Sequence, residues 1–312
     1  MVKAICGMRE KKKLTLRKLD LVSNGWEDYE LLDSGNRKKL ERFGEIELVR
    51  FEPQAVWKPA LPEERWRQAH AVFDMDESRS SGKWTTNHPI PPEWGINCHG
   101  ICFHLAVGAS RHVGIFPEQL PNWEWLTGPT AAASRPLSIL NLFAYTGGMT
   151  AFACLNGARV THVDASKSAL QRARRNLAAS GLQDQPVRWI ADDACEFVRR
   201  EVRRGSQYDG IIMDPPAFGR GPNKQVWKFE QSLPQLLSHC RKLLSPRPAL
   251  FLLTAYNVDQ DADAISQIIL NEFPEMAPGL QSGQLIQQEK SAGRKIEQAK
   301  YARWLEDPIS KK

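Results

Sequence analysis

Four acidic positions stand where apolar runs stop, and their spacing suggests one binding crevice. The run "IIMDPPAFGRG" ends in Asp214, followed by Pro215, Pro216 and Phe218. Pro215 restricts Asp214 to extended geometry. Pro216 fixes φ and, like Pro215, offers no N–H, which leaves local carbonyls open to a bound amine. Phe218 can stack on a planar ring. Upstream, "LNLFAYTGGMT" places Tyr145, Thr146, Gly147 and Gly148 just after an apolar strand, where glycines let backbone N–H groups approach a ligand. Asp164 ends "THVDAS" roughly 20 residues past that turn, the spacing at which an acid accepts from a ribose diol. Asp192 and Asp193 end a third run, "RWIADDA", where a carboxylate can accept from an adenine amine. Asp193 is favoured because the next helix then starts in register at Ala194. Asp164, and either Asp192 or Asp193, also have a plainer use as helix caps, although Ser166 is available to cap the helix after Asp164.

Taken in chain order, the four describe an adenosyl cofactor followed by an acceptor. The chemistry they suit is methyl transfer to a nucleobase, in which orientation contributes up to about 7–11 kcal/mol. No G-x-G-x-x-G is present, which argues against a nicotinamide enzyme.

Such strand ends must be held by a sheet. From about residue 135 strands and helices alternate: "LSILNLF", "RVTHVDA", "VRWIAD", "YDGIIMD" and "ALFLLTAYN" read as strands, each followed by a helix. This pattern specifies an open parallel sheet with helices on both faces, a Rossmann-like α/β fold that binds ligands beyond its strand ends. Residues 21–118 read differently, as a smaller strand-rich α+β domain that could serve substrate recognition. "YELLDSG", "EIELVRF" and "ICFHLAVG" are its expected strands and "PEERWRQAHAVF" its expected helix. Residues 1–20 form a basic extension, with Lys11, Lys12, Lys13, Arg17 and Lys18, and 119–312 the catalytic domain.

The chain has 312 residues, 42% hydrophobic and 25% charged, with net charge +6. That excess fits an anionic partner. No apolar run approaches the roughly 20 residues of a membrane span, and no signal-peptide core opens the chain. No membrane partner and a cytoplasmic location are therefore expected. "CHGICFH" gathers Cys98, His99, Cys102 and His104, yet no second cluster lies at zinc spacing. Strand alternation there would put Cys98 and Cys102 on one face, so buried thiols and no metal are expected.

"LNLFAYTGGMT", the segment "HVGIFPEQ" before it and "DPPAFGRG" after it resemble the large-subunit ribosomal-RNA methyltransferase I and K family, among the class I S-adenosyl-L-methionine-dependent methyltransferases. The resemblance covers roughly 110–305, with Asn141 and Phe143 standing where an acid and a glycine are commoner. It implies S-adenosyl-L-methionine as cofactor, its methionine end wrapped by Tyr145, Thr146, Gly147 and Gly148. Asp164 would hold the ribose and Asp193 the adenine. Phe116 and Gln119 would close over the cofactor, and Asp214 through Phe218 would face an RNA base. Members that methylate cytosine carbon-5 use a cysteine just past the fifth strand. Here that end reads "LLTAYN", so direct transfer without a covalent adduct is expected. Arg220, Lys224 and Lys228 beside the acceptor loop are expected to grip RNA phosphates. A homodimer is an allowed assembly. Two other functions stay open: a small-molecule or protein methyltransferase, and a non-catalytic RNA-binding protein on this scaffold.

Overall fold

The computed structural model describes residues 17–76, 81–220 and 225–306. Lys11–Lys13 and Lys224 lie outside them. Two short strands, β1 (Arg17–Lys18) and β2 (Leu21–Val22), come first. A five-stranded sheet follows in chain order: β3 (Tyr29–Gly35), β4 (Lys38–Phe43), β5 (Ile46–Phe51), β6 (Ala71–Asp76) and β7 (Ser81–Thr86). Asn36 and Arg37, at φ 49° and 61°, make the two-residue turn between β3 and β4. Positive φ at both positions is what matches such a turn to strand twist.

Two sequence expectations fail here. "PEERWRQAHAVF" is not one helix. Helix α1 covers only Glu63–Arg67, and Ala71–Asp76 is strand β6. Ala71 and Phe73 are buried on one face while β6 pairs with β5 and β7. Tertiary pairing has overridden local preference. The segment around the cysteines is likewise not one strand but a hairpin of β8 (Trp94–Cys98) and β9 (Ile101–Leu105), turned by His99 at φ 48° and Gly100 at φ 80°. Cys98 pairs with Ile101 and Asn97 with Cys102, so the thiols face opposite sides. Among the described residues, no group of His, Cys, Asp and Glu is arranged to hold a metal.

A 3-10 turn at Pro117–Gln119 leads into α2 (Leu120–Ala132), whose interior Gly128 and Pro129 disguise it as a loop in the sequence. Leu120, Trp123, Leu126 and Thr130 form its buried face. The alternating region then runs β10 (Ser138–Leu142), α3 (Gly148–Cys154), β11 (Arg159–Asp164), α4 (Lys167–Ala179), β12 (Val187–Ala191), α5 (Ala194–Arg204) and β13 (Gly210–Met213). A small hairpin, β14 (Phe218–Arg220) and β15 (Val226–Lys228), interrupts it. Next come α6 (Phe229–Leu243), β16 (Leu250–Ala255), α7 (Ala262–Glu272), β17 (Gln281–Gln288) and β18 (Lys295–Leu305).

The main sheet has the order β12-β11-β10-β13-β16-β18-β17, with β1 and β2 beside β17. Strands β10 to β13, β11, β12 and β16 pair in parallel, and β18 is antiparallel to both neighbours. The order reverses between β10 and β13, which makes the crevice past their carboxyl ends the expected ligand site. Alternate residues of these strands feed two cores. Ile139, Ile212 and Leu252 face Phe152 and Trp123, while Leu140, Ile211 and Phe251 face the side of α5, α6 and α7. The β17–β18 hairpin, absent from the sequence reading, reaches back to the five-stranded sheet: Lys290 N and Ser291 N donate to Leu31 O and Leu32 O at 2.9 and 3.1 Å.

Candidate active site

The turn after β10 is strained. Phe143 and Tyr145 stand at φ 55° and 50°, and Gly147 at 87°. Left-handed geometry at bulky residues persists only where surroundings enforce it. Here Tyr145 N donates to Asp164 Oδ2 at 2.7 Å, Thr146 Oγ1 to Gly114 O at 2.7 Å, and Asn176 Nδ2 to Thr146 O at 2.9 Å. The glycines answer mainly to the protein itself. A Cβ on Gly148 would lie 2.6 Å from the Trp123 ring, and one on Gly147 3.0 Å from Ala173 Cβ.

Asp164 accepts from Tyr145 N through Oδ2 and from Ser166 N through Oδ1 at 2.8 Å. Burial raises its pKa above the usual carboxylate value, and those two N–H groups offset part of the rise. Ser166 takes the capping role on α4, accepting from Ala169 N at 3.2 Å. Asp193 caps α5 through Oδ1, from Glu196 N at 3.0 Å, and Asp192 pairs with Arg200. A carboxylate oxygen can accept more than one hydrogen bond, so all three keep acceptor capacity.

A cavity of about 760 Å³ joins these positions. Phe116, Tyr145, Asp164, Asp192, Asp193, Asp214, Pro216 and Phe218 all line it. Gln119, Thr146, Gly147, Gly148 and Pro215 are not among its lining residues, although Thr146 to Gly148 continue directly from the lining residue Tyr145. Gln119 is buried, donating through Nε2 to Asp214 Oδ2 at 3.3 Å while its Oε1 accepts from Asn122.

At the acceptor side, two carbonyls expected to be open are already used. Trp227 Nε1 donates to Pro216 O at 2.6 Å and Phe229 N to Ala217 O at 3.0 Å. Docking of the β14–β15 hairpin and α6 consumes them and holds the turn. Phe218 is 55% exposed, an unpacked aromatic on the lining. Lys228 is exposed at the end of β15, and Arg220 closes β14.

The sequence reading missed Glu118, Tyr256, Asn257 and His112, all of which line the cavity. Tyr256 and Asn257 follow β16, so the strand-end rule that found Asp214 would also have found them. Asp214 Oδ1 and Tyr256 Oη are buried without a hydrogen-bond partner. Buried polar atoms are rarely left so; Asp214 Oδ1 is therefore available to a ligand, while Tyr256 Oη lies beside Gln119 and Glu118, which compete for it. Burial, then the neighbouring Glu118, raises the Asp214 pKa well above its ordinary value. None of the five described cysteines lines the cavity. Burial pushes the thiols of Cys98 and Cys154 up to about 12 and Cys195 up to about 11, and raises Cys102 and Cys240 as well.

An open sheet with its switch point at β10 and β13, and a cavity joining Asp164 and Asp193 to Asp214, define a class I methyltransferase. The family model of S-adenosylmethionine-dependent methyltransferases matches residues 53–291, and the chain belongs to that family. A methyltransferase of the same description from Agrobacterium tumefaciens is 39% identical, with TM-score 0.87 over 94% of this chain and 96% of that one. SMU.776, a proposed methyltransferase solved with SAH, shares the fold at 18% identity and TM-score 0.68, over 89% of this chain and 75% of that one. The ribosomal RNA large subunit methyltransferase I of Salmonella newport is 36% identical over 180 residues, 55% of this chain and 41% of that protein. That of Aeromonas salmonicida is 31% identical over 147 residues, 47% of this chain and 33% of that protein. The chain thus covers a third to about two fifths of the length of these curated relatives. S-adenosyl-L-methionine is the cofactor. The cavity fits it: Asp164 and Asp193 line it as acceptors for hydroxyl and amine donors, and the rings of Tyr145 and Phe116, 5.5 Å apart, line the same cavity. No described helix is long and apolar enough to cross a membrane.

Proposed function

We propose that the chain methylates a base of ribosomal RNA in the cytoplasm by direct transfer, without a cysteine adduct. One observation carries this reading: the cavity that holds the cofactor acids is closed on its acceptor side by Asp214, Pro216, Phe218 and Tyr256, and by no described thiol. The bound cofactor supplies an electrophilic sulfonium methyl. Asp164 holds the ribose hydroxyls, Asp193 with Asp192 the adenine amine, and the turn from Tyr145 to Gly148 the methionine end. Phe116 closes over the cofactor, and Gln119 acts from behind by fixing Asp214. Phe218 stacks on the acceptor base, whose edge meets Asp214 Oδ1 and Tyr256 Oη. A base nitrogen held at Asp214 would be aimed at that methyl, and Asp214 would take the proton the nitrogen releases. Burial and Glu118 raise its pKa, which makes its carboxylate a stronger base than an exposed one and holds it protonated until the pH passes that raised value. A cytosine carbon-5 acceptor would need a thiolate, and burial raises the pKa of every described thiol.

RNA fits the basic balance and the names of the curated relatives. Arg220, Lys224 and Lys228 grip its phosphates, and residues 21–118 recognise its shape as a unit separate from the catalytic residues 119–312. Mass spectrometry of ribosomal RNA nucleosides from a deletion strain tests the reading. One missing N-methylated base supports it; an unchanged profile, or a missing carbon-5 methyl, rejects it.

A further inference from the structure

Part of the cavity wall belongs to neither the cofactor acids nor the acceptor turn. Lys39, Arg50, Glu52, Arg111, His112 and Gln298 line it, contributed by the five-stranded sheet, the approach to Pro117 and β18. The charges there do not cancel. Glu41 accepts from Arg50 Nε and Nη2 at 2.6 and 2.7 Å and lies 3.4 Å from Lys39 Nζ. Burial opposes its ionisation, but Arg50 and Lys39 outweigh burial and hold its pKa at about 2. Glu52 stands 4.0 Å from Lys39 and accepts from Gln298 Nε2. Burial pushes the remaining acid, Glu118, toward its neutral form.

Arg111 is left over. It makes no ion pair among the described residues. Its Nη1 donates to Phe51 O at 3.3 Å, and its own carbonyl accepts from Arg50 Nη1 at 3.4 Å. Burial, then Arg50, lowers its pKa. His112 beside it is driven down to about 3 by burial and by Arg50, Arg111 and Lys39. Glu52, Glu41 and Glu118 offset part of the fall at Arg111 from beyond ion-pair distance, and a half-buried guanidinium with no carboxylate in contact is costly. Its planar fork suits a carboxylate or phosphate. Phe116 joins this recess to the rest of the cavity: its ring centroid lies 5.0 Å from that of His112, 5.5 Å from Tyr145 and 5.1 Å from Tyr256.

We propose that Arg111, backed by Arg50 and Lys39, forms an oxyanion subsite inside the substrate cavity. Two molecules can bring the oxyanion: the cofactor, through its methionine carboxylate, and the acceptor, through a phosphate. The second source rests on the RNA reading above; the first does not.

Arg111→Gln and Arg111→Lys in the full chain separate them. Calorimetry uses S-adenosylhomocysteine and methylthioadenosine, which lacks the amino-acid portion. A carboxylate at Arg111 predicts that Arg111→Gln weakens S-adenosylhomocysteine about tenfold, a charge-assisted bond of roughly 1.4 kcal/mol, and leaves methylthioadenosine unchanged. A phosphate predicts unchanged nucleoside binding and a slope of log affinity for ribosomal RNA against log salt that is shallower by about one. Arg111→Lys restores part of either effect. Unchanged binding of all three probes overturns the subsite, as does equal weakening of both nucleosides. If Arg111→Gln does not fold, phenylglyoxal labelling of the wild-type protein reads the same contact. Protection of Arg111 by S-adenosylhomocysteine or RNA supports the subsite; protection by neither overturns it.

Discussion

Gln119 Nε2 points at Asp214 Oδ2 across 3.3 Å, and this bond leaves Oδ1 as the free face of the carboxyl. A residue from the turn before α2 thereby aims the acid at the end of β13. Asp214→Asn should lower kcat by roughly 100-fold or more, the usual worth of a general base. S-adenosylhomocysteine affinity should hold. The same substitution carries a stability signature. Burial and Glu118 raise the folded-state pKa of Asp214, so the folded chain keeps its proton after the unfolded chain has released one near pH 4. Wild-type stability therefore falls as pH rises from about 4 through that raised value. Asp214→Asn should be the more stable protein at pH 7 to 8 and lose the advantage at pH 4, which denaturant melts at each pH will check.

His162 gives the opposite sign. It is fully buried under the glycine turn, its Nδ1 2.9 Å from Thr150 Oγ1, and burial pushes its pKa down to about 3. Below about pH 6.5 the unfolded chain takes up a proton that the folded chain refuses. Stability is lost as pH falls between about 6.5 and 3. His162→Gln should be less stable than wild type at pH 7, and by pH 4.5 the gap should narrow by on the order of 2 kcal/mol. A gap that stays constant would remove the burial account.

Single alanine substitutions at each cysteine should leave methyl transfer within a few-fold of wild type in every variant that folds. Cys154 and Cys240 should lower the melting temperature, because both are fully buried. A folded, cofactor-binding variant without turnover would establish an adduct and end the direct-transfer reading.

Gly148→Ala places a methyl 2.6 Å from the Trp123 ring. Overpacking of this kind costs roughly 1–3 kcal/mol. The turn it disturbs is tied to Asp164, so S-adenosylhomocysteine affinity should fall together with melting temperature. Trp123 fluorescence should report the displacement.

Lys228→Gln tests the basic loop. If that exposed lysine meets a phosphate, the slope of log affinity for RNA against log salt should become shallower by about one. An unchanged slope makes it an ordinary surface lysine.

What the sequence makes legible follows from where the information lies. The strand ends at Tyr145, Asp164, Asp193 and Asp214 carry local signals: an apolar run, a breaker, an acid, then a capped helix. The parallel core follows from the same grammar. The pairing of β6 with β5 leaves no such mark, so β6 read as helix, while the strand expected at "ICFHLAVG" is β9 and the local turn at His99 and Gly100 that puts Cys98 on the preceding strand went unread. The terminal hairpin and the Arg111 recess depend on residues brought together from different sheets. Tyr256 is a different case, because its position directly past β16 is as readable in the sequence as that of Asp214 past β13.

The docking of the β17–β18 hairpin onto β3 has a consequence for how the chain matures. Ser34 and Asp33 receive their polar partners, Glu289, Ser291 and Arg294, from more than 250 positions downstream. Tyr29 likewise waits for Gln287. Synthesis from the N-terminus exposes those early strands with only their local partners, Glu41 for Tyr29, Trp57 for Ser34 and Ala60, Leu61 and Trp66 for Asp33, until nearly the whole catalytic sheet has been made. Nascent chains should therefore hold the first sheet loosely, and tighten it only when the closing hairpin leaves the ribosome.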